Sequence, residues 1–280
     1  MDIVKRPLNR NEDIMLSEEN IRSKMKTARC GSNVVYLYET GSTNDYAKSI
    51  AHEAQDGTLV VADCQVSGKG RLGRSWNSPH GIGIFMSLIL KDGLKADKAP
   101  MITIVAAMAV MKALDRQCDN STDVSIKWPN DIVINGKKVC GILTEMKTVG
   151  DSSQYVVVGI GINVNNESFA DDISRVATSM YIEEGKRFDR SDVVCDVMEE
   201  FEKYYGMFLE NENLSSIKEE YNSRLVNMNN EVEIIRQDGN YRAQSLGMDE
   251  DGGLIVRRQD GSLETVVSGE VSVRGVYGYV

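Results

Sequence analysis

The stretch Gly68-Lys-Gly-Arg-Leu-Gly73 constrains the fold more than any other, because it reads as a G-x-G-x-x-G turn just after a strand-like run, Thr58-Leu-Val-Val-Ala62. In a dinucleotide-binding βαβ unit a helix starts inside that glycine turn. Here the chain continues as Asn77-Ser-Pro-His-Gly-Ile-Gly83, which cannot carry a helix onward. The doubly wound dinucleotide fold is therefore excluded, and no G-x-x-x-x-G-K-S/T phosphate loop occurs. What remains, Gln65 through Trp76, is a glycine-broken loop holding Lys69, Arg71 and Arg74. Glycine lets backbone approach a ligand closely, and cations set between glycines can surround phosphate oxygens. With Trp76 offering a flat face, the stretch suits an anionic nucleotide product. Its plainer reading is a solvated basic loop.

Around this loop, strand and helix patterns alternate. Val34–Tyr38, Thr58–Ala62, Ile82–Leu90 and Tyr155–Val164 read as strands, and Ile132–Ile134 and Val139–Met146 as a hairpin about Asn135-Gly136, a dipeptide suited to a type I′ turn. Ser17 caps a short helix to Met25, and Ser42 or Thr43 caps one running to about Ala54. Asp97–Arg116 is helical and almost continuously apolar, and two helices follow near Ser191–Glu210 and Leu214–Val226. After Asn227, short β runs separated by Asp238-Gly239, Gly252-Gly253 and Asp260-Gly261 indicate a small β-barrel. The expected organisation is an N-terminal extension (1–32), an α+β unit with a mixed sheet flanked by helices (33–227), and a small β-barrel (228–280).

Composition narrows the function. A net charge of -10 argues against a protein whose main work is gripping nucleic acid. The longest apolar run, Ala99–Met111, is too short for a membrane span. Met1–Asp13 lacks the apolar core of a signal peptide. Five cysteines without CxxC spacing match a reduced, cytoplasmic chain. With only two histidines, a His-rich zinc site is ruled out and a cysteine-based one is not expected, so no metal is assigned to protein side chains alone.

Two further stretches point to a ligand. Lys127-Trp-Pro-Asn-Asp131 joins two strands, and a turn there can present Lys127, Asn130 and Asp131 at one strand end; taken alone it is an ordinary β-turn. Gly159-Ile-Gly-Ile-Asn163 is a glycine-broken strand, which marks a bulge or the close approach of a ligand or backbone. Lys138, just past the Asn-Gly turn, is by itself an exposed lysine.

Ser42-Thr43-Asn44, Gln65 through Trp76, Lys127 through Asp131, Lys138-Val-Cys-Gly141 and Gly159 through Asn163 occur in that order, and together they resemble the biotin protein ligases over about Val34–Val280. Gly269 through Arg274 is similar to that family's C-terminal domain. The resemblance implies a catalytic domain related to class II aminoacyl-tRNA synthetases and lipoate ligases, followed by an SH3-like barrel. It implies ATP, biotin and Mg2+, and a biotin carboxyl carrier domain of a carboxylase as partner. A homodimer through a sheet edge stays open, and the 32-residue extension has no room for a helix-turn-helix domain, which places the chain with the monofunctional members.

The resemblance puts biotin and its adenylate on Ser42, Thr43, Asn44, Gln65, Gly68, Lys69, Gly70, Arg71, Trp76, Lys127, Asn130, Lys138, Gly141, Gly161, Asn163 and Arg274. Lys138, Arg71 and Lys69 carry the chemistry, because a carboxylate attacking a phosphate needs positive charge held in place. Many members have arginine at position 69, and lysine keeps the charge without the planar fork. A lipoate or octanoate ligase would share the chemistry, but the polar Ser-Thr-Asn and Gln set suits a ureido ring better than an apolar chain. A ligand-sensing DNA-binding regulator conflicts with the acidic charge.

Overall fold

A computed structural model describes residues 15–236, 239–268 and 272–275. Seven strands, β1 (Asn33–Leu37), β2 (Thr58–Ala62), β3 (Gly83–Leu90), β4 (Val124–Lys127), β5 (Asp131–Ile134), β6 (Lys137–Val149) and β7 (Ser152–Asn163), form one sheet in the order β1-β2-β3-β7-β6-β5-β4. The β1–β2 pair is parallel and the other neighbours are antiparallel, so the sheet is mixed as expected. Side chains in a strand alternate between faces. Ile84, Met86, Leu88 and Leu90 of β3 thus join Val156, Val158, Ile160 and Ile162 of β7 in the main core, while Ile89 and Val157 enter a smaller cluster on the other face.

The helices are α1 (Glu18–Lys24), α2 (Thr43–Ile50), α3 (Ala99–Gln117), α4 (Met180–Glu184), α5 (Arg190–Asn211) and α6 (Lys218–Ser223). The side chain of Ser17 accepts from the Asn20 N–H and starts α1, which packs on α5. Helix α3 lies between the sheet and α5, and thirteen of its nineteen residues are buried. A helix apolar on every side belongs inside a protein, which explains the long apolar run. Helix α2 covers the opposite face over β2, β3 and β7. Beyond it, that face is left to the loops.

Three local expectations change. The helix expected over Leu214–Val226 is reduced to α6, because the chain then turns to run along β4: Ile126 N–H donates to Arg224 O and Val226 N–H to Ile126 O, at 2.8 and 3.0 Å. Helix α2 stops at Ile50, four residues early, and Ser42 stands at its N-cap without a side-chain capping bond. Helix α4 has no counterpart in the sequence reading. The Asn135-Gly136 turn holds, with φ of 49° and 76° at its two residues.

The C-terminal strands are β8 (Glu231–Ile235), β9 (Tyr241–Met248), β10 (Leu254–Arg258), β11 (Leu263–Val266) and β12 (Ser272–Gly275), all antiparallel in the order β11-β10-β9-β8-β12. Among the described residues β11 and β12 do not pair, so this SH3-like unit is an open sheet and not the closed barrel expected. Its apolar face is buried in another way: Val232, Ile234, Met248, Val256 and Val273 belong to the same core as α3. Trp128 Nε1–H donates to Gly252 O at 3.0 Å, and the Asn222 side chain donates to Met248 O and accepts from Met248 N–H. Residues 1–14, Asp238 and Val276–Val280, parts of the expected extension and barrel, lie outside the described residues.

Candidate active site

On the open face of the sheet, Gly141 of β6 stands directly opposite Gly161 of β7, and Gly159 follows one period along. A Cβ at Gly161 would lie 2.8 Å from the Trp76 indole, and one at Gly141 would lie 2.9 Å from it. The glycines therefore make a flat floor on which Trp76 rests. A Cβ at Gly159 would come within 2.2 Å of Asn44 Oδ1. Asn44 cannot retreat, because its amide donates to Leu143 O at 3.2 Å and to Glu145 at 2.8 Å, and its Oδ1 is 2.6 Å from Ser87 Oγ. Overpacking of this kind costs about 1–3 kcal/mol. Gly159→Ala is expected to lower Tm and weaken ligand binding at the floor together. Calorimetry finding both unchanged would contradict this account of the floor.

The wall beside the floor is polar. Gln65 Oε1 accepts from the backbone N–H of Thr43 at 2.8 Å and lies 3.1 Å from its hydroxyl, while Gln65 Nε2 donates to Ser78 Oγ at 2.9 Å. Thr43 Oγ1 is 2.8 Å from Ser87 Oγ. Ser42, Thr43 and Asn44 are all buried at the start of α2. Such a set presents donors and acceptors at fixed positions.

Two cavities meet here. The smaller, about 50 Å³, is lined by Ser42, Thr43, Asn44, Gln65, Lys69, Gly141, Gly159 and Gly161. The larger, about 620 Å³, is lined by Arg74, Lys127, Asp131, Asn163, Asn166, Phe169 and Ile173 among others, with Val273 from β12. Gly70, Arg71, Trp76, Asn130 and Lys138 line both. Lys138 Nζ pairs with Asp131 Oδ1 at 2.6 Å and sits 5.4 Å from the centre of the Trp76 ring. Arg71 donates to Asn130 Oδ1 at 2.7 Å, and Asn130 in turn donates to Ile142 O and Asp131. Burial lowers the pKa of the Arg71 guanidinium, although an arginine stays charged. Among the described residues, Arg71, Arg74, Lys127 and Lys138 face the larger cavity against the one carboxylate of Asp131. A locally basic chamber thus sits in an acidic protein. The Trp76 Nε1–H is buried there without a partner among the described residues.

The remaining sequence-selected residues have other settings. Lys69 reaches Asp45 Oδ2 at 2.6 Å, tying the loop to α2. Burial acts to raise the Asp45 carboxyl, but hydrogen bonds from Lys69 and Lys48 outweigh it and hold its pKa below the usual range. A Cβ at Gly68 would lie 2.4 Å from Trp76 O, and the Gly68 carbonyl accepts the Trp76 N–H. The Asn163 amide donates to Thr178 O at 3.0 Å, on a segment whose Val176 and Thr178 backbone brackets Lys138. Arg274 lies on β12, and its side chain is outside the described residues. The Cys140 thiol, between Lys138 and Gly141, is buried, and that burial pushes its pKa well above its usual range. Ser87, Asp131 and Asp45 are additions that sequence reasoning did not place in the site. Only Asp131 had a signal, as the last residue of the Lys127–Asp131 turn.

The class defined by this sheet and chamber is that of the biotin and lipoate protein ligases: residues 36–163 match the Biotin/lipoate A/B protein ligase family, and residues 228–274 match the Biotin protein ligase C terminal domain. The chain is 38% identical to the Bifunctional ligase/repressor BirA of Bacillus spizizenii over 92% of its own length and 79% of that protein. It is 31% identical to the biotin–acetyl-CoA-carboxylase ligase of Paracoccus denitrificans, over 79% and 92% of the two chains. The structure of the biotin protein ligase from Aquifex aeolicus in complex with biotin and ATP matches 87% of this chain and 99% of that one, with a TM-score of 0.76 and 31% identity. The chain belongs to the biotin protein ligase family.

Proposed function

We propose that this chain activates biotin with ATP as biotinyl-5′-AMP and transfers the biotinyl group to a lysine on the biotin carboxyl carrier domain of a carboxylase. The observation that carries the reading is the placement of Lys138 and Arg71 where the two cavities meet. The biotin ring occupies the polar, glycine-floored side, and the nucleotide occupies the basic chamber. The carboxylate and the α-phosphate then face each other at the junction.

Attack of the carboxylate on the α-phosphorus forms the acyl–phosphate bond and expels pyrophosphate. Lys138 and Arg71 offset the charge that accumulates there. The carrier amine next attacks the acyl carbon, and AMP leaves. No protein nucleophile takes part. ATP enters as its magnesium complex. Among the described chamber residues, Asp131 is engaged by Lys138 and Asn130 through Oδ1, and a magnesium ion arriving with ATP would supply further positive charge to the phosphates. The polar wall favours a ureido ring over an acyl chain. In a pyrophosphate-release assay biotin is expected to support turnover and lipoate to support little; the reverse preference would overturn the reading.

The small cavity, about 50 Å³, has room for only a few waters, far less than the roughly 300–1,000 Å³ of small-molecule sites. Trp76 must therefore leave the glycine floor when biotin binds. The protein has two tryptophans, and Trp128 is buried and bonded to Gly252. Biotin is expected to change the tryptophan emission, and Trp76→Phe to abolish that change. Unaltered emission at saturating biotin would contradict a moving Trp76.

A further inference from the structure

At the ends of β1 and β2 farthest from α1, three segments bring together side chains that the ligase reading does not use. Glu39 follows β1, Cys64 follows β2, and His80 precedes β3. One carboxylate oxygen, the thiol sulfur and one imidazole nitrogen all lie within 4.8 Å of one another. The backbone holds the first two segments side by side: Thr40 N–H donates to Cys64 O at 3.1 Å and Asp63 N–H to Leu37 O at 3.0 Å.

The imidazole is oriented from behind. Its Nδ1 is 3.1 Å from Asp63 Oδ2, and its Nε2 points toward Glu39, 3.3 Å away. Tyr38 stacks on the ring at 4.5 Å and sets its plane. Asp63 is itself fixed, because its Oδ2 accepts the Gly81 N–H and its Oδ1 accepts from the buried Arg190 at 2.8 Å. A carboxylate on the far nitrogen of a histidine is the usual outer-shell partner of a metal-bound imidazole, since it fixes the tautomer that frees the other nitrogen.

We propose that Glu39, Cys64 and His80 form a binding site for a divalent cation of the zinc class. Sulfur and imidazole ligands select zinc or cobalt over magnesium or calcium. Zinc bonds of about 2.0–2.3 Å put tetrahedral ligand atoms about 3.5 Å apart, so closure needs side-chain rotation of roughly an ångström. Glu39 and His80 are partly exposed while Cys64 is buried, which leaves a fourth position open to water. Cys64 and His80 also bracket residues 65–79, so a cation there ties the two ends of the glycine-rich loop together.

The site is independent of the ligase reading, and its test needs no turnover. The full chain, freed of metal with a chelator, is titrated with Co2+ and the near-ultraviolet absorption is followed. One equivalent is expected to give a thiolate-to-cobalt charge-transfer band that Zn2+ displaces. Cys64→Ser is expected to lose the band, while Cys118→Ser keeps it. His80→Ala, a change at a partly exposed side chain that the fold tolerates, is expected to weaken Co2+ binding at least about tenfold, the cost of losing even an outer-shell partner. If the parent gives no such band, or the band survives in Cys64→Ser, the cluster is only a hydrogen-bonded group of His80 with Asp63 and Glu39.

Discussion

Lys138→Ala is expected to lower biotin-dependent pyrophosphate release by about a hundredfold, corresponding to about 3 kcal/mol of lost transition-state stabilisation. The Nζ stands at the junction of the two cavities, held by Asp131 at 2.6 Å, where the carboxylate and the α-phosphate are expected to meet. Its charge is oriented before substrate arrives, so little reorganisation is needed during the reaction. The side chain is a quarter exposed and its backbone is bonded to Val176 and Thr178 through main-chain groups, so the fold should survive the change. A circular dichroism spectrum and melting curve close to the parent's are therefore part of the expected result. Near-normal pyrophosphate release from the folded variant would remove Lys138 from the reaction.

Arg71→Gly is expected to separate activation from retention. Biotinyl-5′-AMP acylates any amine it meets, so the enzyme must hold it until the carrier docks. Arg71 lines both cavities and fastens the glycine-rich loop to the β4–β5 turn through Asn130 at 2.7 Å. Removing a charged contact of this kind costs about 1.5–3 kcal/mol, or about ten- to a hundredfold in residence time. Lys138 remains to support the first step. The variant is expected to keep part of its adenylation and to label an unrelated lysine-rich protein more strongly than the parent does in the presence of biotin and MgATP. Active adenylation without added bystander labelling would show that Arg71 does not retain the intermediate. Loss of adenylation itself would place Arg71 in the first step, and retention would then have to be read from another variant of the loop.

What was legible in the sequence was whatever short-range pattern determines. The β2 run and the Asn-Gly turn match their strand and hairpin closely, because a short apolar, β-branched run and positive φ leave few choices. The glycines of β7 announced a close approach, although not that Trp76 and Asn44 were what approached. Ser87 was hidden because it is one polar residue in an otherwise apolar strand, and only the fold brings it to Thr43 and Asn44. Asp45 was hidden because an acidic residue in the first turn of a helix needs no further explanation. The Glu39, Cys64 and His80 cluster comes from three separate segments with no spacing to betray it. The closed barrel failed because turn spacing counts strands but not the surface against which a sheet buries its face.

Transfer to a carrier is the central claim, and intact-mass analysis of an isolated biotin carboxyl carrier domain tests it most directly. After incubation with this protein, biotin and MgATP, the carrier is expected to gain the mass of one biotinyl group. The gain should require ATP and disappear when the acceptor lysine is replaced by arginine. An unchanged carrier mass, or a gain from lipoate in place of biotin, would contradict the account.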